Sequence, residues 1–292
     1  MTGTPRLADV VACLDDLYDP RWADAWDAVG LVCGDPGQPV RKVLLAVDPV
    51  HAVADEAVEW GADLLVTHHP LLLRPVHGVA ATDPKGRVVH RLIRHGVALQ
   101  VCHTNADSAD PGVSDALADA LGLTELRPLD ADPAEQPSTR GTGRLGVLPA
   151  PETLRKFVER VAAVLPQTAA GVRAAGDPDQ EVRSVAVCGG AGDGLLDLVR
   201  GSAADVYVTS DLRHHPASEF REHGYGGTST ALVDIAHWAA EWTWLPHAER
   251  RLVEGLATRG TTVETRVSRI CTDPWQLHVP QHPMTPPEES PH

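Results

Sequence analysis

Six side chains have the types and spacings that metal-assisted chemistry uses: His68 beside His69, His103 four residues before Asp107, and His237 four residues before Glu241. Adjacent residues at the end of an extended strand point in opposite directions and do not readily chelate one ion together, so the His68–His69 pair suits two metals. Taken alone, one imidazole of such a pair could equally cap the strand. Asp107 would add a carboxylate to imidazoles, the mixed N/O set that Zn²⁺, Fe²⁺ or Mn²⁺ accepts, although an isolated loop aspartate is ordinary. His103 has three readings: a ligand, a group that orients a ligand, or a general base. His237 and Glu241 share one face if their segment is helical, an arrangement that also fits a solvated surface contact. Fifteen histidines in a chain of 4% aromatic content exceed what packing needs.

The elements that must position these residues repeat one pattern. Lys42–Val47 runs into Asp48, Ala62–Val66 runs into Thr67-His68-His69-Pro70, and Val97–Val101 runs into Cys102-His103-Thr104-Asn105-Ala106-Asp107. Each is a short apolar strand that ends in polar residues. Helical periods lie between them, at Val50–Trp60 and Lys85–His95, and an amphipathic helix at Arg6–Tyr18 opens the chain. Strands separated by helices predict right-handed crossovers and a largely parallel sheet, whose site lies beyond the carboxyl ends of the strands. Pro128–Thr142, rich in Pro, Asp, Ser and Gly without an apolar period, reads as a linker or surface excursion. Beyond it the alternation resumes, with strands at Ser184–Cys188, Asp205–Thr209, Thr230–Val233 and Thr262–Val267 and a helix at Pro246–Arg259. The expected architecture is α/β: two interlinked lobes, 1–127 and 128–280, each with a mostly parallel sheet flanked by helices and a dinuclear metal site between them. A Pro- and Glu-rich tail, 281–292, reads as disordered.

Composition excludes several classes. Twenty-five Lys and Arg against 40 Asp and Glu leave a formal charge of −15, without the positive field that phosphate-backbone binding requires, so nucleic acid is not an expected partner. No apolar run reaches the ~20 residues that cross a bilayer, and the N-terminus lacks the apolar core of a secretory signal, which makes the cytoplasm the default compartment. Five dispersed cysteines, with no C-x-x-C pair, argue against a disulfide framework and a thiolate zinc site.

The segments Asp24-Ala25-Trp26-Asp27-Ala28-Val29-Gly30-Leu31, Thr67-His68-His69-Pro70 with Arg74-Pro75, His103-Thr104-Asn105-Ala106-Asp107, Thr209-Ser210-Asp211 with His214-His215, and Asp234-Ile235-Ala236-His237-Trp238-Ala239-Ala240-Glu241 occur in the order seen in one family. Across Asp24 to Pro274 the chain resembles the NIF-three-like proteins, also described as GTP cyclohydrolase I type 2 homologs. The resemblance implies His68, His69, Asp107, His237 and Glu241 as ligands to two divalent ions (Zn, Fe or Mn), with Glu241 bridging, and a homohexameric ring. It departs at Ala28, Thr67 and Ala236, where the family has Asn, Ser and Gly; none of these removes a ligand. Two such ions can lower the pKa of a shared water, so the implied reaction is hydrolytic: GTP to 7,8-dihydroneopterin triphosphate and formate. In that reading His103 shuttles protons and Arg74 faces the triphosphate. The alternatives are a non-enzymatic metal-binding regulatory or interaction protein, and a metal-dependent hydrolase of another substrate. Gly189–Gly194 reads better as a tight turn than as a phosphate cradle, and His214 and His215 could line the cleft.

Overall fold

The computed structural model describes residues 3–133, 137–224 and 229–279; the tail read as disordered lies outside them. In chain order the strands are β1 (Gly30–Cys33), β2 (Lys42–Ala46), β3 (Leu64–Thr67), β4 (Ala98–Val101), β5 (Thr124–Ala131), β6 (Gly141–Thr153), β7 (Val172–Ala175), β8 (Glu181–Ala191), β9 (Val206–Ser210), β10 (Ala231–Ile235) and β11 (Glu264–Val267). The helices are α1 (Leu7–Leu17), α2 (His51–Trp60), α3 (Pro84–Arg94), α4 (Thr104–Ser108), α5 (Val113–Ala120), α6 (Leu154–Val164), α7 (Leu196–Ser202), α8 (His214–Glu222), α9 (His237–Trp242) and α10 (Trp244–Thr258).

The first sheet has the order β1-β4-β3-β2-β11 and is parallel except for its β1 edge. Strands covered on both faces read as unbroken apolar runs, and β3 and β4 are buried throughout. Alternate residues divide between the faces: Leu44, Ala46 and Leu65 meet Val53, Ala57, Val88 and Leu92 of α2 and α3. Val43, Leu45, Leu64 and Val66 meet Leu7, Val10 and Leu14 of α1 and Leu252 and Leu256 of α10. No helix among the described residues is long and apolar enough to cross a membrane.

Three findings differ from the sequence reading. The strand at Thr262–Val267, assigned above to the second lobe, is β11 and pairs with β2, so the chain returns to the first sheet. The second sheet, β5-β6-β8-β9-β10-β7, is mixed: β8, β9 and β10 run parallel, while β5, β6 and β7 pair antiparallel with their neighbours. Both ends of the expected linker are strand, because β5 runs through Pro128 to Ala131 and pairs with β6 from Gly141. β5 is a largely exposed edge, so it shows no apolar period and accepts a proline.

The lobes share packing. Val113 and Ala116 of α5, with Trp238 and Ala239 of α9, belong to the same core as α1 and α10. Arg144 on β6 is buried and fully engaged: Nε donates to Asp115 Oδ1 at 2.7 Å, Nη1 to the carbonyls of Gly141 and Gly143, and Nη2 to Ala109 O at 2.7 Å. It anchors the segment that follows α4 to the second sheet.

Candidate metal centre

All six candidate side chains meet where the carboxyl ends of β3, β4 and β10 face one another across the lobes. His68 N and His69 N still donate to Ala46 O and Val47 O, but the chain bends there and Thr67 Oγ1 donates to His69 O at 2.9 Å. The bend overturns the expectation of divergent side chains: the two rings sit 5.2 Å apart, and their ligand atoms lie with that of His103 within 4.8 Å of one another. Both reach Glu241, His68 Nε2 at 3.4 Å from Oε1 and His69 Nε2 at 3.0 Å from Oε2.

α9 begins at His237 directly after β10, and the i, i+4 spacing works as anticipated, with His237 Nε2 2.8 Å from Glu241 Oε1. His69, His237 and Glu241 form a second group that could hold an ion. Asp107 comes from α4, its Oδ1 3.8 Å from His68 Nε2.

Four imidazoles share one device. Nδ1 of His68 donates to Cys102 O at 2.9 Å, and Nδ1 of His69, His103 and His237 donates to a carboxylate oxygen of Asp48 (2.7 Å), Asp27 (2.9 Å) and Asp211 (2.7 Å). Each bond engages Nδ1 and so leaves Nε2 as the nitrogen that faces the cluster and that a metal ion would take. Asp27 is itself held by Ala28 N at 2.7 Å and Thr104 N at 3.0 Å. Asp48, Asp27 and Asp211 went unassigned in the sequence, although each stands in a polar segment singled out there.

Charge is concentrated and buried. Burial opposes a proton on His69, but Glu241 and Asp48 outweigh it and carry that imidazole up to about 11. His237 is carried against burial to about 9 by Glu241 and Asp211. Burial pushes Asp107 up to about 6, whereas Glu241 is held well below the carboxylate range because the three histidines overcome its desolvation. His103 moves the other way, lowered by burial and by His68. Within this one cluster three side-chain atoms are buried without a hydrogen bond: His68 Nε2, Asp107 Oδ1 and Glu241 Oε2. Such orphans are costly, and here all three belong to one cluster.

Gly190 was missed as a site residue. β8 does not stop at Cys188; it shifts register before Ala191, and Gly190 adopts φ +77°. A Cβ there would stand 2.6 Å from Glu241 Oε1 and 3.4 Å from His237 Nε2. His214 and His215 stack edge-on at the start of α8 and do not line the cleft, nor does the exposed Arg74, so no triphosphate role for Arg74 is carried forward. The cleft itself, about 320 Å³, opens beside His69 and His237.

Two sheets that each deliver histidine and acidic side chains to a shared cleft define a two-lobed α/β protein with a candidate metal centre. The chain belongs to the Duf34/NIF3 (NGG1p interacting factor 3) family, whose model matches residues 5–274. It is 52% identical over 279 residues to the GTP cyclohydrolase 1 type 2 homolog of Streptomyces coelicolor, covering 96% of each chain. It is 40% identical to the similarly named protein of Mycobacterium tuberculosis, covering 93% of this chain and 97% of that one. Among solved structures, a Staphylococcus aureus hypothetical protein matches with a TM-score of 0.85 at 27% identity, covering 94% of this chain and 100% of that one.

Proposed function

We propose that His68, His69, Asp107, His237 and Glu241 hold two divalent ions, Zn, Fe or Mn, and that the protein is a hydrolase of the GTP cyclohydrolase type. In this reading GTP and water give 7,8-dihydroneopterin triphosphate and formate. The observation that carries the metal reading is that His68 Nε2, Asp107 Oδ1 and Glu241 Oε2 are buried together without a hydrogen bond, their nearest polar neighbours being one another and His69. Donor chemistry agrees, since imidazole and carboxylate suit those metals and each ligand histidine is oriented through its other nitrogen. The names of the relatives support the choice of reaction.

Divalent ions held by these five side chains would supply Lewis acidity and make a bound water more acidic. The side chains do the rest. Asp48, Cys102 O and Asp211 hold the ligand imidazoles in one tautomer and one orientation. His103, neutral because burial lowers its pKa and with its Nδ1 proton held on Asp27, offers Nε2 to accept a proton. As a further part of the proposal, the chain assembles into a homohexameric ring, which light scattering tests.

Protein loaded separately with Zn²⁺, Fe²⁺ and Mn²⁺ should release formate from GTP with at least one metal, and Asp107→Asn should abolish it. No formate with any of the three, in protein shown to hold two ions, would reject the hydrolase reading.

A further inference from the structure

Trp275 is a lining residue of the cleft and is 70% exposed, so burial does not account for its size. It is nevertheless anchored. Thr272 Oγ1 donates to Asp48 Oδ2, the carboxylate whose other oxygen holds His69, and Trp275 N donates at 2.9 Å to Oδ1 of the buried Asp273. A bare indole therefore stands on the wall of the cleft, on a segment tied to the brace of a candidate ligand.

The charges around it are mostly negative. Asp48, Asp211, Asp234 and Asp273 line the cleft, and Arg173 is the only lysine or arginine among the described lining residues. That guanidinium is already ion-paired with Asp234. His69 and His237 also line the cleft, but each is already paired with carboxylates, Asp48 or Asp211 and Glu241, so a polyphosphate would meet several carboxylates and no unpaired side-chain cation among the described lining residues, an unfavourable balance at short range. A planar ring is better served: the indole offers a stacking face, and carboxylates accept from ring N–H and amino groups.

We propose that this cleft recognises its substrate through a planar heteroaromatic ring stacked on Trp275, with phosphate groups adding little to the recognition. The fate of the ring rests on the hydrolase reading; its binding does not.

Calorimetry on metal-loaded protein with guanosine, neopterin and inorganic triphosphate as probes tests this without turnover. Guanosine or neopterin should bind wild type, Trp275→Ala should weaken that binding roughly tenfold or more, and Trp275→Phe should restore most of it. Inorganic triphosphate should bind wild type and Trp275→Ala alike. Absence of binding by both ring probes, or equal ring affinity in wild type and Trp275→Ala, would overturn the proposal. Formate release from GTP reports separately on the hydrolase reading, so either can fail while the other stands.

Discussion

Gly190→Ala should damage the centre although residue 190 donates nothing to it. The new Cβ would stand 2.6 Å from Glu241 Oε1, about 0.8 Å inside ordinary van der Waals contact. Glu241 is 3% exposed and has His68, His69 and His237 around it, so its carboxylate cannot step aside without leaving them. Metal–ligand distances tolerate about 0.2 Å, a quarter of that displacement. The backbone adds strain, because φ +77° in a non-glycine residue costs about 1–2 kcal/mol. Metal affinity should fall about 10- to 100-fold, the range found when groups that orient ligands are disturbed. The strain alone lowers Tm by only a few degrees, which leaves a folded protein to assay. Competition with a chromophoric chelator measures affinity and calorimetry measures Tm. Gly194→Ala is the control, since its Cβ would have nothing within 4 Å. If Gly190→Ala held metal as tightly as wild type, the close approach would have no part in shaping the centre.

His69→Ala and Glu241→Ala should each lose metal from a wild-type content of two ions per chain while keeping wild-type circular dichroism, because several apolar clusters support the fold without the site; wholesale unfolding of either would contradict this. In metal-free protein His69 and His237, raised to about 11 and about 9, contribute stability that is fully present below about 6.5 and lost as pH rises through those values. Tm of metal-free protein should therefore fall between pH 7 and 10, and a flat or rising profile would show that the histidines are not stabilised as cations. Arg144→Ala leaves Asp115 and three carbonyls without their donor and should cost about 3–5 kcal/mol by urea denaturation, with a loss under 1 kcal/mol refuting the anchoring role.

Local order was available from the chain itself. The apolar runs ending at Ala46, Thr67 and Val101, the helices between them and the opening helix all follow from side-chain periodicity, a property of neighbours in sequence. The i, i+4 relation of His237 and Glu241 was likewise determined locally, because helical geometry alone puts them on one face. Long-range pairing was not. Glu264–Val267 carries no mark that sends it to β2 rather than to the nearer second sheet, and β5 exposes too much of itself to show an apolar period. The centre depends most on the tertiary structure. Asp48, Asp27 and Asp211 act through histidines 21, 76 and 26 residues away, and the need for glycine at 190 exists only because β8 bulges against Glu241. Each of these contacts lies within one lobe but joins elements well separated along the chain, so no short stretch of sequence contains both partners.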